Sequence, residues 1–249
     1  MKILKWVAVT VLIVCILGLS WLMRAWFIGE RRGDIPDQPV PESILESVEN
    51  LPLRNIKLSD DLIYAELLET TYIDGILCAS EWVGLTSSGQ LSQCTLAEDT
   101  VIDGNLIPKN TEIDLDDELK LKYAYFLEDT EIQGYLLHNR YGRRPGGALT
   151  ISAWFYPDGR LQGFYSRSNV MVQEIPCRKI YNGLFAHTPI QLHENGNLRN
   201  CTLSRDAEID GQIIPPGITV TLSEDGKISK LDYSMKVVIE LLAAGTFGY

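Results

Sequence analysis

The chain has 249 residues, 45% of them hydrophobic and 22% charged, with a formal net charge of −11. Five basic residues and one acidic residue fall in the first 32 positions, so residues 33–249 hold 17 basic against 32 acidic side chains, a balance of −15. A body of that sign repels nucleic acid and anionic lipid headgroups, which excludes both as partners of its main part.

The N-terminus is a separate object. From Trp6 to Met23 no residue is charged, and only Thr10 and Ser20 are polar. As a helix this run rises about 27 Å, close to the thickness of a bilayer core. Trp6 stands at one end and Trp21 and Trp26 at the other, where indole rings favour the headgroup boundary. The pattern predicts one transmembrane helix over 6–28 within an anchor of residues 1–32. Lys2 and Lys5 precede the run, and Arg24, Arg31 and Arg32 follow it. The short basic N-terminus favours an orientation with residue 1 inside and the body outside the cytoplasm. The rival is a cleaved signal peptide, with Gly18 and Ser20 as a small-x-small site, and it makes the protein secreted or periplasmic. Residues 33–58 read as a linker, with four prolines between 33 and 52 and one short helical turn at Ser43 to Asn50.

Residues 59–241 repeat. "CTLAEDTVIDGNLIP" begins at Cys94 and "CTLSRDAEIDGQIIP" begins at Cys201. An Ile-x-Gly triplet anchors the units at Ile73, Ile102, Ile132 and Ile209, with a degenerate copy at Val172-Gln173-Glu174. The spacings between anchors are 29, 30, 40 and 37 residues. Eleven positions before each anchor stands Leu62, Leu91, Leu121, Leu161 or Leu198. Three positions before it stands a turn-favouring residue: Thr70, Asp99, Asp129, Asn169 or Asp206. The glycines of the triplet are Gly75, Gly104, Gly134 and Gly211. Apolar pairs at Val83/Leu85, Ile113/Leu115, Ala153/Phe155, Ile190/Leu192 and Val220/Leu222 alternate with polar residues as half-buried strands do. The Gly-bearing segments that follow them read as hairpin turns. The expected unit is strand, Gly turn, strand through the leucine, Asx-type turn, and an Ile-x-Gly strand. The fold class is all-β, a repeat array of about five stacked antiparallel hairpin units, because one unit cannot bury its apolar side alone. Residues 242–249 form a tail.

The repeat accounts for most residues that resemble a site. Asp74, Asp103, Gln133, Gln173 and Asp210 share one position. Interchange of Asp and Gln suits a solvent-facing strand position, where substitution is nearly neutral. The acidic run at 114–118 lacks the ligand pattern of a calcium loop, and His187 and His193 lack a third zinc ligand. No catalytic, metal or cofactor motif emerges.

Length varies only between the Ile-x-Gly segment and the next alternating strand. The insertion in the third unit carries Arg140, Tyr141, Arg143 and Arg144 in an otherwise acidic chain. Guanidinium forks there suit an anionic cell-wall ligand or an acidic envelope protein. The cysteines follow the repeat too. Cys78 and Cys177 occupy one repeat position and Cys94 and Cys201 another. Their co-occurrence at the same two junctions predicts disulfides Cys78–Cys94 and Cys177–Cys201 in an oxidising compartment.

Together these features describe a single-pass protein of the cell (inner) membrane whose C-terminal domain binds or scaffolds in the envelope. An envelope-acting hydrolase with an unrecognised site is the alternative. It requires a deep cleft lined by polar groups outside the repeat.

Overall fold

The computed structural model describes residues 40–59, 62–138, 151–179 and 188–233. A short helix α1 (Glu42–Ser47) precedes the first unit, which comprises β1 (Leu53–Ser59), β2 (Leu62–Leu67), β3 (Thr71–Ile73) and β4 (Ile76–Cys78). Unit two comprises β5 (Trp82–Thr86), β6 (Leu91–Thr95), β7 (Thr100–Ile102) and β8 (Asn105–Ile107). Unit three comprises β9 (Glu112–Leu115), β10 (Leu121–Tyr125), β11 (Thr130–Ile132) and β12 (Tyr135–Leu137). Unit four comprises β13 (Ala153–Phe155), β14 (Leu161–Phe164), β15 (Val170–Val172) and β16 (Ile175–Cys177). Unit five comprises β17 (Ile190–Leu192), β18 (Leu198–Thr202), β19 (Ala207–Ile209) and β20 (Gln212–Ile214), and β21 (Ile218–Leu222) and β22 (Ile228–Tyr233) form a half unit.

Each unit therefore holds two hairpins. The first pair of strands joins a 12-stranded antiparallel sheet in the order β1-β2-β5-β6-β9-β10-β13-β14-β17-β18-β21-β22. The second pair forms a separate two-stranded hairpin of three residues per strand. The small hairpins form a row over one face of the long sheet. Cys78, Leu137 and Cys177 at the ends of their second strands bridge to Leu96, Ser166 and Leu203 of the following units. One core cluster lies between the two layers. It takes Ala65, Leu85, Leu91, Leu121, Leu161 and Leu198 from the sheet and Ile73, Ile102, Ile132, Val172 and Ile209 from the row.

The turns explain the shape of the unit. The long hairpins close through residues whose fourth member is left-handed: Gly89, Gly159, Gly196 and Gly226 at φ of 79–83°, and Leu119 at 62° in the acidic run. Each of these hairpins also carries a register shift in its strands, as between Trp154 and Phe155 and between Gln191 and Leu192, a β-bulge one pair beyond the residues that close the turn.

The Ile-x-Gly triplet ends a strand and makes a turn, and is not the continuous strand expected. Ile73 ends β3, and Asp74 (φ 48°) and Gly75 (φ 83°) make the two-residue reversal into β4. Two successive positive φ values are the requirement of a type I′ hairpin. Unit four meets it with Gln173 and Glu174 at 50° and 67°.

Residues read as linker also change role. β1 occupies 53–59 and pairs with β2 as an edge of the sheet. Its alternation was hidden by an irregularity between Arg54 and Lys57, where Asn55 is left-handed. The helical turn expected nearby is α1. The segment 6–28 lies outside the described residues, as do Arg140, Tyr141, Arg143 and Arg144. Among the described residues no helix is long and apolar enough to cross a membrane.

Candidate functional site

The shared Asp/Gln position does not face solvent idly. The left-handed turn aims its side chain at the neighbouring unit, where it accepts the backbone N–H of the repeat leucine. Leu91 N–H donates to Asp74 Oδ2 at 2.7 Å and Leu121 N–H to Asp103 Oδ2 at 2.7 Å. Leu161 N–H donates to Gln133 Oε1 at 3.2 Å and Leu198 N–H to Gln173 Oε1 at 2.9 Å. Both residue types carry an oxygen that reaches this N–H, which is why Asp and Gln interchange. The expectation of near-neutral substitution there is therefore corrected. Asp103 also pairs with Lys120 Nζ at 3.1 Å. Replacing Asp103 with Ala should lower stability by about 1–3 kcal/mol, the cost of an unpaired buried donor. Asp103→Asn, which keeps the acceptor and tolerates a left-handed backbone, should lose less than half as much in chemical denaturation.

The turn-favouring position is structural as well. Asp99 Oδ1 accepts Lys109 N–H at 2.8 Å and Asn169 Oδ1 accepts Lys179 N–H at 2.9 Å, closing the open ends of their small hairpins. Asp129 instead pairs with His138 and with Arg167. His193 contacts the carbonyl of Leu222 at 3.0 Å. Among the described residues no three His, Cys, Asp or Glu side chains are placed to hold a metal ion.

The cysteines meet in the expected pairs, and one pair is bonded. Cys177 and Cys201 form a disulfide across 24 residues of sequence. Cys78 and Cys94 stay as buried thiols, so the expected second bond is not formed. Cys78 donates to the Ile76 carbonyl at 3.7 Å, and the Cys94 thiol lies beside Cys78. That contact, and then burial, pushes the Cys94 pKa up. Peptide mapping without reductant should recover Cys177 linked to Cys201. Reducing that link should cost about 3 kcal/mol for a loop of this length.

Two faces remain open to solvent. On the sheet face away from the small hairpins, cross-strand neighbours form one row: Tyr64, Gly84, Gln93, Asp114, Tyr123 and Trp154. Polar groups there bond one another. Tyr125 donates to Asp114 at 3.0 Å and Gln93 donates to Glu112. Burial and then the Asp114 charge push the Tyr125 pKa upward. An open depression of about 390 Å³ lies at the turn edge of the later units, lined by Gln173, Asn197, Asp210 and Gly226 among others. It is built from the repeated turns, not from polar groups outside the repeat.

The outer face of the small-hairpin row is of another kind. The middle residue of each hairpin strand lies on the side away from the core. It is apolar in the second strand of every unit and in the first strands of units one, two and four, while Glu131 and Glu208 hold the place in units three and five. Tyr72, Val101 and Met171 hold this place in the first strands, and Leu106, Leu136 and Ile213 in the second. Their exposures run from 43% at Leu136 to 77% at Ile213. Leu77 and Pro176 complete the second-strand column at half-buried and buried positions. Cross-strand pairing sets Tyr72 beside Leu77, Val101 beside Leu106 and Met171 beside Pro176. A ridge of large apolar side chains thus runs along the array.

Sequence reading missed this ridge, although a signal was present. Ile-Asp-Gly between alternating apolar residues marks a tight hairpin, and reading the x-Gly pair as its turn places these residues outward. No family model, curated protein or solved structure matches the chain.

Proposed function

We propose that this protein is a membrane-tethered binding or scaffolding module of the cell envelope, anchored by residues 6–28 with its β array outside the cytoplasm. The observation that carries the reading is the ridge. Large apolar side chains left exposed in one continuous line, as Tyr72, Val101, Leu106, Leu136, Met171 and Ile213 are, mark an interaction surface. The Asp and Gln side chains of the turns are already used in joining one unit to the next. A structural disulfide at Cys177–Cys201 suits an oxidising compartment. The loop with Arg140, Tyr141, Arg143 and Arg144 is a second proposed contact, for an anionic cell-wall ligand or an acidic envelope protein.

Topology and contact are tested together in cells. A periplasm-active reporter fused after Tyr249 should be active, and the mature chain should start at Met1. A photo-crosslinking residue at Leu106 or Ile213 should capture a discrete partner, and one at Thr221 on the opposite sheet face should not. A reporter active only in the cytoplasm overturns the orientation, an N-terminus at Trp21 overturns the anchor, and equal crosslinking at all three positions overturns the surface.

A further inference from the structure

We propose that the ridge over units one to three binds a cationic amphipathic α-helix of about 20 residues lying along the array. This rests on the binding-module reading and names the partner's chemistry.

The spacing selects a helix. Each unit adds two strands to the long sheet, so equivalent side chains on successive hairpins recur about every 9.6 Å. The bridges from Cys78 to Leu96 and from Leu137 to Ser166 hold the hairpins to the sheet's own spacing. A helix returns the same face to the ridge every seven residues, a rise of about 10.5 Å. Over three units the mismatch grows to only about 2 Å, within the reach of a leucine side chain. An extended strand fits badly, since its same-face residues recur at about 6.8 Å and the next one at about 13.6 Å.

The charge selects a basic one. Beside the apolar residues Leu68, Tyr72, Val101, Leu106 and Leu136 stand the exposed Glu69, Glu98 and Glu128, all at one repeat position, and Glu131 opposite Leu136. Tyr72 donates a hydrogen bond to Glu98 Oε1 at 3.3 Å, which fixes that carboxylate next to the ridge. In units four and five the place of Glu69, Glu98 and Glu128 is taken by Ser168 and Arg205, so that acidic column ends where unit three ends, and only Glu208, the equivalent of Glu131, stands beside the ridge in unit five. Lys or Arg side chains along the margin of a leucine-faced helix that lies over this column would meet it.

The test uses the full chain in nanodiscs of zwitterionic lipid and a fluorescent 21-residue Leu/Lys peptide with heptad spacing. A scrambled peptide of the same composition, a peptide of strictly alternating Leu and Lys, and empty nanodiscs are the comparators. Anisotropy should show the heptad peptide binding at least about tenfold tighter than either other peptide, as an anchor-dominated interface requires. Leu106→Asp with Leu136→Asp should weaken it by about tenfold or more, and Glu98→Lys with Glu128→Lys should weaken it and flatten its salt dependence. Thr221→Asp should leave it unchanged, and circular dichroism should show every variant folded. Equal binding of the three peptides, or of wild type and the leucine variants, overturns the proposal. Tighter binding of the alternating peptide means that an extended partner sits there, and a wild-type dimer that the leucine variants dissociate means that a second copy does. Either result also overturns it. If Leu106 still crosslinks selectively in cells after such a failure, the binding module stands and only the helix falls.

Discussion

Replacing Leu121 with alanine should lower the unfolding free energy by about 2–5 kcal/mol, the range for deleting a buried leucine side chain from a packed core. Leu121 is 1% exposed, and so are its equivalents Leu161 and Leu198, with Leu91 at 0%. Each faces a second apolar residue across its hairpin, Leu115 in the case of Leu121. Its backbone N–H is held by Asp103 of the preceding unit, so the site joins two units and cannot collapse freely around a cavity. Leu62, half-buried near the start of the array, should lose less from the same change. Denaturation with an unchanged slope m tests the ordering. Equal losses at Leu62 and Leu121 would contradict the core described above.

Gly159→Ala should cost about 3 kcal/mol, of which about 1–2 comes from the left-handed backbone and the rest from overpacking. Gly159 and Gly196 occupy the same turn position with nearly the same φ, 83° and 82°. A Cβ added at Gly159 would stand 2.2 Å from the carbonyl oxygen of Asp103, whereas at Gly196 it meets nothing within 4 Å. The turn of unit four is pressed against the turn of unit two. Asn105 and Gln133 both donate to the Gly159 carbonyl there, at 2.7 and 2.8 Å. Gly196→Ala, facing open space, should cost about 1 kcal/mol from the backbone conformation alone. The difference between two alanines in identical turns measures the contact between units. If the two variants are equally stable, that contact contributes nothing.

Much of the architecture was legible in the residues. A repeated core leucine, alternating apolar pairs and Gly turns are local signals, and each reports a chemical need that recurs in every unit. They place the long hairpins, the buried leucines and the junctions where length varies, because periodicity survives substitution. The pairing of Cys177 with Cys201 was readable for the same reason, since two positions that change together across units are neighbours. The bond at Cys177–Cys201 and the thiols at Cys78 and Cys94 were not separable by repeat position alone, because both pairs hold the same two places. β1 escaped notice because one left-handed residue, Asn55, breaks its alternation.

The use of the Asp/Gln position was decided only in three dimensions. The hydrogen bond that Leu121 N–H donates to Asp103 spans a junction, and nothing local shows that a turn side chain reaches the next unit's N–H. The ridge has the same origin. Tyr72, Val101, Leu106, Leu136 and Ile213 look like core residues one at a time, since apolar side chains are written alike for either face. Which face is outward depends on where the turn reverses the chain. Once Asp-Gly is the reversal and not part of a strand, the flanking isoleucines go inward and the middle residues of the hairpins go out. Sequence alone determined that the units repeat and what each one buries. The stacking of the small hairpins on the long sheet decided what they leave uncovered.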